Sequence, residues 1–152
     1  MNLPEELALV DYKIIEGEQA LKVAQDWLSI FCSHRTSFKG IRGGKSYVWD
    51  EIHSKHQNAD AIIEYEKHFA PSYFLMPDNF GEFEKQIYVS RAKPIGNPKL
   101  SDFHVFPKNL AWSIAFTHED GWIGPKFFRH SKYSQLNKIN EKSMHELSRI
   151  HV

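Results

Sequence analysis

From Gly17 to Phe31 the apolar positions recur at helical spacing. Ala20, Leu21, Val23, Ala24, Trp27, Leu28, Ile30 and Phe31 fall on one half of a helical wheel, with Glu18, Gln19, Lys22, Gln25, Asp26 and Ser29 on the other. This pattern predicts an amphipathic helix that meets a core through Trp27 and Phe31. A second helix is predicted over residues 59–68, capped by Asn58, carrying Ala61, Ile62, Tyr65 and Phe69, and stopped by Pro71. A third is predicted over residues 134–150. Its apolar face holds Leu136, Ile139, Leu147 and Ile150, and Lys138, Lys142, His145 and Arg149 line the opposite face.

Shorter apolar runs read as strands at residues 8–15, 47–53, 72–76, 86–90, 103–106 and 110–116. The last two form a hairpin across Pro107-Lys108-Asn109, and a further turn at Gly121-Trp122-Ile123-Gly124-Pro125 leads into Lys126-Phe127-Phe128. Strands joined by such short turns favour an antiparallel sheet. The expected fold is a single α+β domain over residues 1–152, with about five antiparallel strands and two or three helices covering one face. Trp112, Ile114 and Phe116 should face the same core as Trp27 and Phe31.

Composition narrows the class. A chain of 152 residues with 41% hydrophobic and 25% charged residues suits one globular domain with a core of its own. A formal net charge of zero argues against a nucleic-acid binder. The one cysteine, Cys32, excludes an internal disulfide and a Cys-rich zinc site. No apolar run approaches the roughly 20 residues that span a bilayer, and the acidic segment at residues 1–13 lacks the basic start of a secretion signal. A cytoplasmic protein is expected. Charge is unevenly spread: residues 1–31 carry six acids against Lys13 and Lys22, and residues 126–152 carry six bases against Glu141 and Glu146. The two ends either attract each other, or are solvated, or one of them steers a charged partner.

Candidate chemistry gathers where the strand at residues 110–116 ends, at Thr117-His118-Glu119-Asp120-Gly121-Trp122. His118 oriented by Glu119 or Asp120 could serve as a general base, since an imidazole titrates near neutrality. A hydrolase also needs a nucleophile or a metal. Neither a Gly-x-Ser-x-Gly elbow nor an HExxH pair occurs, and Cys32 at the end of an apolar helix reads as a core thiol. His53 and His56 have a His-x-x-His spacing, for which distant His118 is the one further ligand in view. Gly40, Gly43 and Gly44 alternate with Arg35, Lys39, Arg42 and Lys45, but the order does not match a phosphate-binding P-loop. No cofactor is expected.

Tyr47-Val48-Trp49, the capped helix at residues 59–68, Ser72-Tyr73-Phe74-Leu75, and Trp112-Ser113-Ile114-Ala115-Phe116-Thr117-His118-Glu119 closed by Gly124-Pro125-x-Phe127 carry a resemblance. Over residues 47–128 the chain resembles a family of small uncharacterised bacterial domains, chiefly from Bacillus-type genomes, with a strand ending Thr-His-Glu and a following Gly-Pro-x-Phe. The family pattern has a histidine and an aromatic after the tryptophan, where this chain has Asp50 and Glu51. The resemblance implies a non-enzymatic immunity role, neutralising a cognate bacterial toxin. The expected partner is therefore a protein, with neither nucleic acid nor membrane involved. Its contacts are expected at His118, Glu119, Asp120 and Trp122, or on the basic face of the last helix at Lys138, Lys142 and Arg149. The alternative is a small hydrolase, histidine-based through His118, Glu119 and Asp120, or metal-assisted through His53, His56 and His118.

Overall fold

A computed structural model describes residues 2–35, 47–52, 54–81 and 85–150, the side chain of Ile150 excepted. In chain order these form α1 (Leu3–Glu6), β1 (Tyr12–Ile15), α2 (Gly17–Phe31), a 3-10 turn (Trp49–Glu51), β2 (His56–Gln57), α3 (Ala59–Lys67), β3 (Tyr73–Pro77), β4 (Ile87–Ser90), β5 (Phe103–Phe106), β6 (Trp112–Phe116), β7 (Lys126–Arg129) and α4 (Tyr133–Ile150). The fold is α+β, as expected, but the sheet has seven strands rather than about five, in the order β1-β4-β3-β5-β6-β7-β2. Every pairing is antiparallel.

Both faces of the sheet are covered, where one covered face was expected. Alternation along each strand sends successive side chains to opposite faces. Phe74, Met76, Phe106, Ala115 and Phe128 join Ala20, Ala24, Trp27 and Leu28 of α2 on one face. Leu75, Phe103, Val105, Trp112, Ile114, Phe116 and Phe127 join Ala61 and Tyr65 of α3 on the other, with Leu136 from α4 packed against them. Trp112, Ile114 and Phe116 are buried, as is Trp27, but they belong to a different core from Trp27 and Phe31. Burial on both faces accounts for the mostly apolar runs of β3, β5 and β6, interrupted by His104 and Ser113, all of whose residues are buried. Register is fixed by pairs such as Phe103–Phe116, stacked at 5.1 Å, and Phe74–Phe106 at 5.7 Å.

Three local expectations change. Residues 47–52 contain the 3-10 turn instead of a strand, for reasons given with the site below. Asn58 precedes α3 with φ at 55° and makes no side-chain cap; its N–H instead donates to the Pro125 carbonyl at 2.9 Å, seating the helix against the start of β7. In α4 the buried positions are Asn137 and Asn140, while Ile139 is 56% exposed. Asn109 explains this: its amide donates to the Leu136 carbonyl at 3.0 Å, and its oxygen accepts from Asn140 at 3.2 Å. Hydrogen bonding to the β5–β6 turn, beside the packing of Leu136, sets the helix rotation there. Of the alternatives for the charged ends, direct pairing is not seen: among the described residues no ion pair joins the acidic start of the chain to its basic end.

Candidate functional site

The sheet end at which β5 begins and β6 finishes holds the candidate site. Antiparallel pairing of Phe103 with Phe116 brings Asp102, just before β5, beside His118, just after β6. The Asp102 carboxylate accepts the His118 backbone N–H at 3.0 Å and its ring Nδ1–H at 2.9 Å. The ring is thereby fixed at two points. Its Nε2 faces Glu119 Oε1 at 4.0 Å. The Asp102 hydrogen bond holds the imidazole pKa above its ordinary value against burial, the next-largest effect, and the charges of Asp102, Glu119 and Asp120 add to the rise.

One wall of the site is the 3-10 turn. Tyr47 and Trp49 stack with ring centroids 5.8 Å apart, and both present edges to His118, at 5.0 and 6.0 Å. Two charges from distant parts of the chain pin this turn at opposite ends. Asp78 accepts the N–H groups of Val48 and Trp49, each at 3.0 Å. Lys126, itself buried, reaches the carbonyls of Trp49 at 3.4 Å and Ile52 at 3.5 Å. A carboxylate at the N–H end and an ammonium at the carbonyl end complement the dipole of a helical turn. Burial pushes the Lys126 pKa down. Asp78 also accepts from His104 Nε2 at 2.7 Å, and His104 packs against Trp27 at 4.3 Å. The wall beside His118 thus rests on the core under α2.

The two neighbouring acids do different work. Asp120 turns inward: its Oδ1 accepts from Thr117 N at 2.9 Å and Thr117 Oγ1 at 3.0 Å, and its Oδ2 from Asn97 Nδ2 at 3.3 Å. Burial raises its carboxyl pKa against those hydrogen bonds. Gly124 closes the turn from the other side. A Cβ there would lie 2.6 Å from Asp120 Oδ1 and 2.7 Å from Thr117 Oγ1, so only glycine fits this approach. Glu119 remains half-buried at the surface, and Trp122, two residues beyond Asp120, is 75% exposed. Trp122 does not fold back over the sheet edge. The possible cations for these acids are engaged elsewhere, Arg129 with Glu64 at 2.5 Å and Lys126 with the 3-10 turn.

The remaining sequence candidates are scattered. His56 lies on β2 near Glu64, at 3.8 Å, and against Phe127, while His118 keeps company with Asp102. His53 lies outside the described residues, as do residues 36–46, which hold most of the glycine-rich basic segment. Among the described residues no group of three His, Cys, Asp or Glu side chains is placed to hold a metal. Cys32 is buried and its pKa is pushed up to about 11, chiefly by burial, which suits the core thiol read from the sequence. Lys138, Lys142 and Arg149 lie exposed on α4. Asp102, Asn97 and Asp78 escaped the sequence reading. For Asp102 a signal existed, because the hairpin register alone places it opposite the end of β6.

Among the described residues no helix is long and apolar enough to cross a membrane. No family model matches this chain, no curated protein matches it, and no solved structure matches its fold.

Proposed function

We propose that this chain is a protein-binding module that docks a basic partner at the sheet end around His118, in its most concrete form an immunity protein that neutralises a cognate toxin. The observation that carries the reading is Trp122, 75% exposed on a turn held rigid by the Asp120 hydrogen bonds. Binding energy concentrates at such aromatic anchors, because a fixed indole loses little entropy on docking. Glu119 beside it, with Asp102 behind His118, suits a partner surface rich in lysine or arginine. The Thr-His-Glu strand end followed by Gly-Pro-x-Phe, through which the chain resembles small bacterial domains, supplies the toxin-neutralising form. The test is a pull-down from the native organism with the product of the neighbouring open reading frame tagged, together with co-expression against that product. Capture of the wild type, loss of capture in Trp122→Ser and Glu119→Lys, and protection from toxicity support the reading. Absence of both a protein partner and protection overturns it.

The Asp102–His118 pair favours a second reading, a hydrolase in which the fixed imidazole moves protons. With its pKa raised, His118 holds its second proton more firmly than a free imidazole, which favours a proton-donor role. Asp120 is committed to the turn, which leaves Glu119 as the adjacent carboxylate. Turnover of an ester or phosphodiester panel that His118→Ala abolishes would establish this reading. Turnover that survives His118→Ala would remove it.

A further inference from the structure

A pocket of about 330 Å³ opens at the β2–β7 edge of the sheet, beneath the end of α2. Its apolar floor lies on the α2 face of the sheet, at Phe31, Ile52 and Phe128, while Phe127, also on the lining, belongs to the opposite face. The charged side chains on its lining are Lys55, His56 and Arg129, with no carboxylate among them. Glu64 stands behind them and already faces Arg129 at 2.5 Å, Lys67 at 3.3 Å and His56 at 3.8 Å. The one carboxylate of Glu64 is thus shared among Arg129, Lys67 and His56. Lys55 is exposed and makes no ion pair among the described residues.

The supports are rigid. Arg129 closes β7, and its guanidinium lies 4.4 Å over the Tyr133 ring. His56 is held in register opposite Phe127 and meets that ring edge-on at 6.3 Å. The Ser54 hydroxyl bonds the Phe127 carbonyl, which ties the segment leading into β2 to β7. Pockets of roughly 300–1,000 Å³ with an apolar floor and a few converging polar groups are those that take small organic ligands. Here the polar groups share one sign. A guanidinium presents several N–H donors in a plane, and the described contact with Glu64 uses its Nη2.

We propose that this pocket binds a small organic anion with an aromatic body, an aryl phosphate or aryl carboxylate, its ring on Phe31, Ile52 and Phe128 and its head among Lys55, His56 and Arg129. The floor supplies apolar contact and the rim selects the charge, so neither part of the ligand suffices alone.

Two-dimensional amide NMR on the full chain tests this, with phenyl phosphate, inorganic phosphate and benzyl alcohol as probes. Phenyl phosphate should give saturable shifts at residues 54–57 and 126–129, with a dissociation constant on the order of 1 mM for so small a ligand. Inorganic phosphate and benzyl alcohol should each bind at least about tenfold more weakly, since each lacks one of the two matched parts. Lys55→Gln and His56→Gln alter half-buried or exposed side chains, so folding can be checked by melting and by the amide spectrum away from the edge. Each should weaken phenyl phosphate about threefold or more, and salt at about 0.5 M should weaken it further. No saturation at this edge by about 10 mM overturns the proposal. So does equal binding of benzyl alcohol and phenyl phosphate, or full binding by a folded double variant carrying Lys55→Gln and His56→Gln.

Discussion

Glu119 and Asp120 are adjacent in sequence and alike in chemistry, yet replacing them should have opposite consequences. In Asp120→Ala three hydrogen bonds to a carboxylate vanish, from Thr117 N, Thr117 Oγ1 and Asn97 Nδ2. Thr117 is fully buried, so its N–H cannot turn to water instead. An orphaned buried donor costs about 1–3 kcal/mol, and the lost charge-assisted bonds add to it, for a total of about 3 kcal/mol. For a chain of this size a loss of about 3 kcal/mol lowers the melting temperature by about 6–12 °C. Asp120→Asn keeps an acceptor for Thr117 and should lose about a third as much. Glu119→Gln removes a surface carboxylate whose described contact is with His118 Nε2 at 4.0 Å, while the backbone of Glu119, which bonds Thr117 Oγ1 and the N–H groups of residues 122–124, is untouched; the side chain is dispensable to the turn, and the melting point should stay within about 2 °C. Calorimetry of the variants, read beside their affinity for a captured partner, separates the roles. Glu119→Gln should weaken capture of a basic partner without changing the melt. An Asp120→Ala melt within about 2 °C of wild type would refute the assignment of that carboxylate to the turn.

Asp78→Ala should be the most destabilising single change at this end, by about 3–5 kcal/mol, because it strands buried His104 and frees the N–H groups of Val48 and Trp49 together. Chemical denaturation measures the loss, and a cost below about 1 kcal/mol would show that the 3-10 turn holds itself. His118 gives a pH dependence of defined sign. Its folded pKa is raised above 6.5, so the Asp102 contact contributes its full stability below pH 6.5 and loses it as pH rises through the folded value. Asp102→Asn should therefore bring the His118 midpoint in a proton-NMR titration down toward the ordinary histidine value, and the stability gap from wild type should narrow from pH 6 to pH 9. An unmoved midpoint would place the cause of the shift elsewhere.

The hydrophobic pattern alone determined most of the elements. The wheel of residues 17–31 fixed α2 at its observed bounds, since a periodic apolar face leaves few registers in which it can be buried. The hairpin of β5 and β6 was legible because Pro107-Lys108-Asn109 interrupts two apolar runs at close range. The same local logic failed at residues 47–52. Tyr47-Val48-Trp49 has strand-forming side chains, but Asp78 and Lys126, 29 and 77 positions away from Trp49, bind its two ends and wind it into a 3-10 turn. Propensity there differs by fractions of a kcal/mol, and two charged caps outweigh it.

The number of covered faces was likewise a tertiary matter. An apolar run such as residues 73–77 suits a strand buried on both sides, but a sequence of that length does not name the layers that bury it. The site divides in the same way. His118, Glu119 and Trp122 could be picked out from residue type at a strand end. Their roles could not: Asp102 reaches His118 through cross-strand register, and Asn97 and Gly124 decide that Asp120 points inward while Trp122 points out. Side-chain direction at a turn depends on which distant donors lie within about 3 Å, and that is set only when the sheet has assembled.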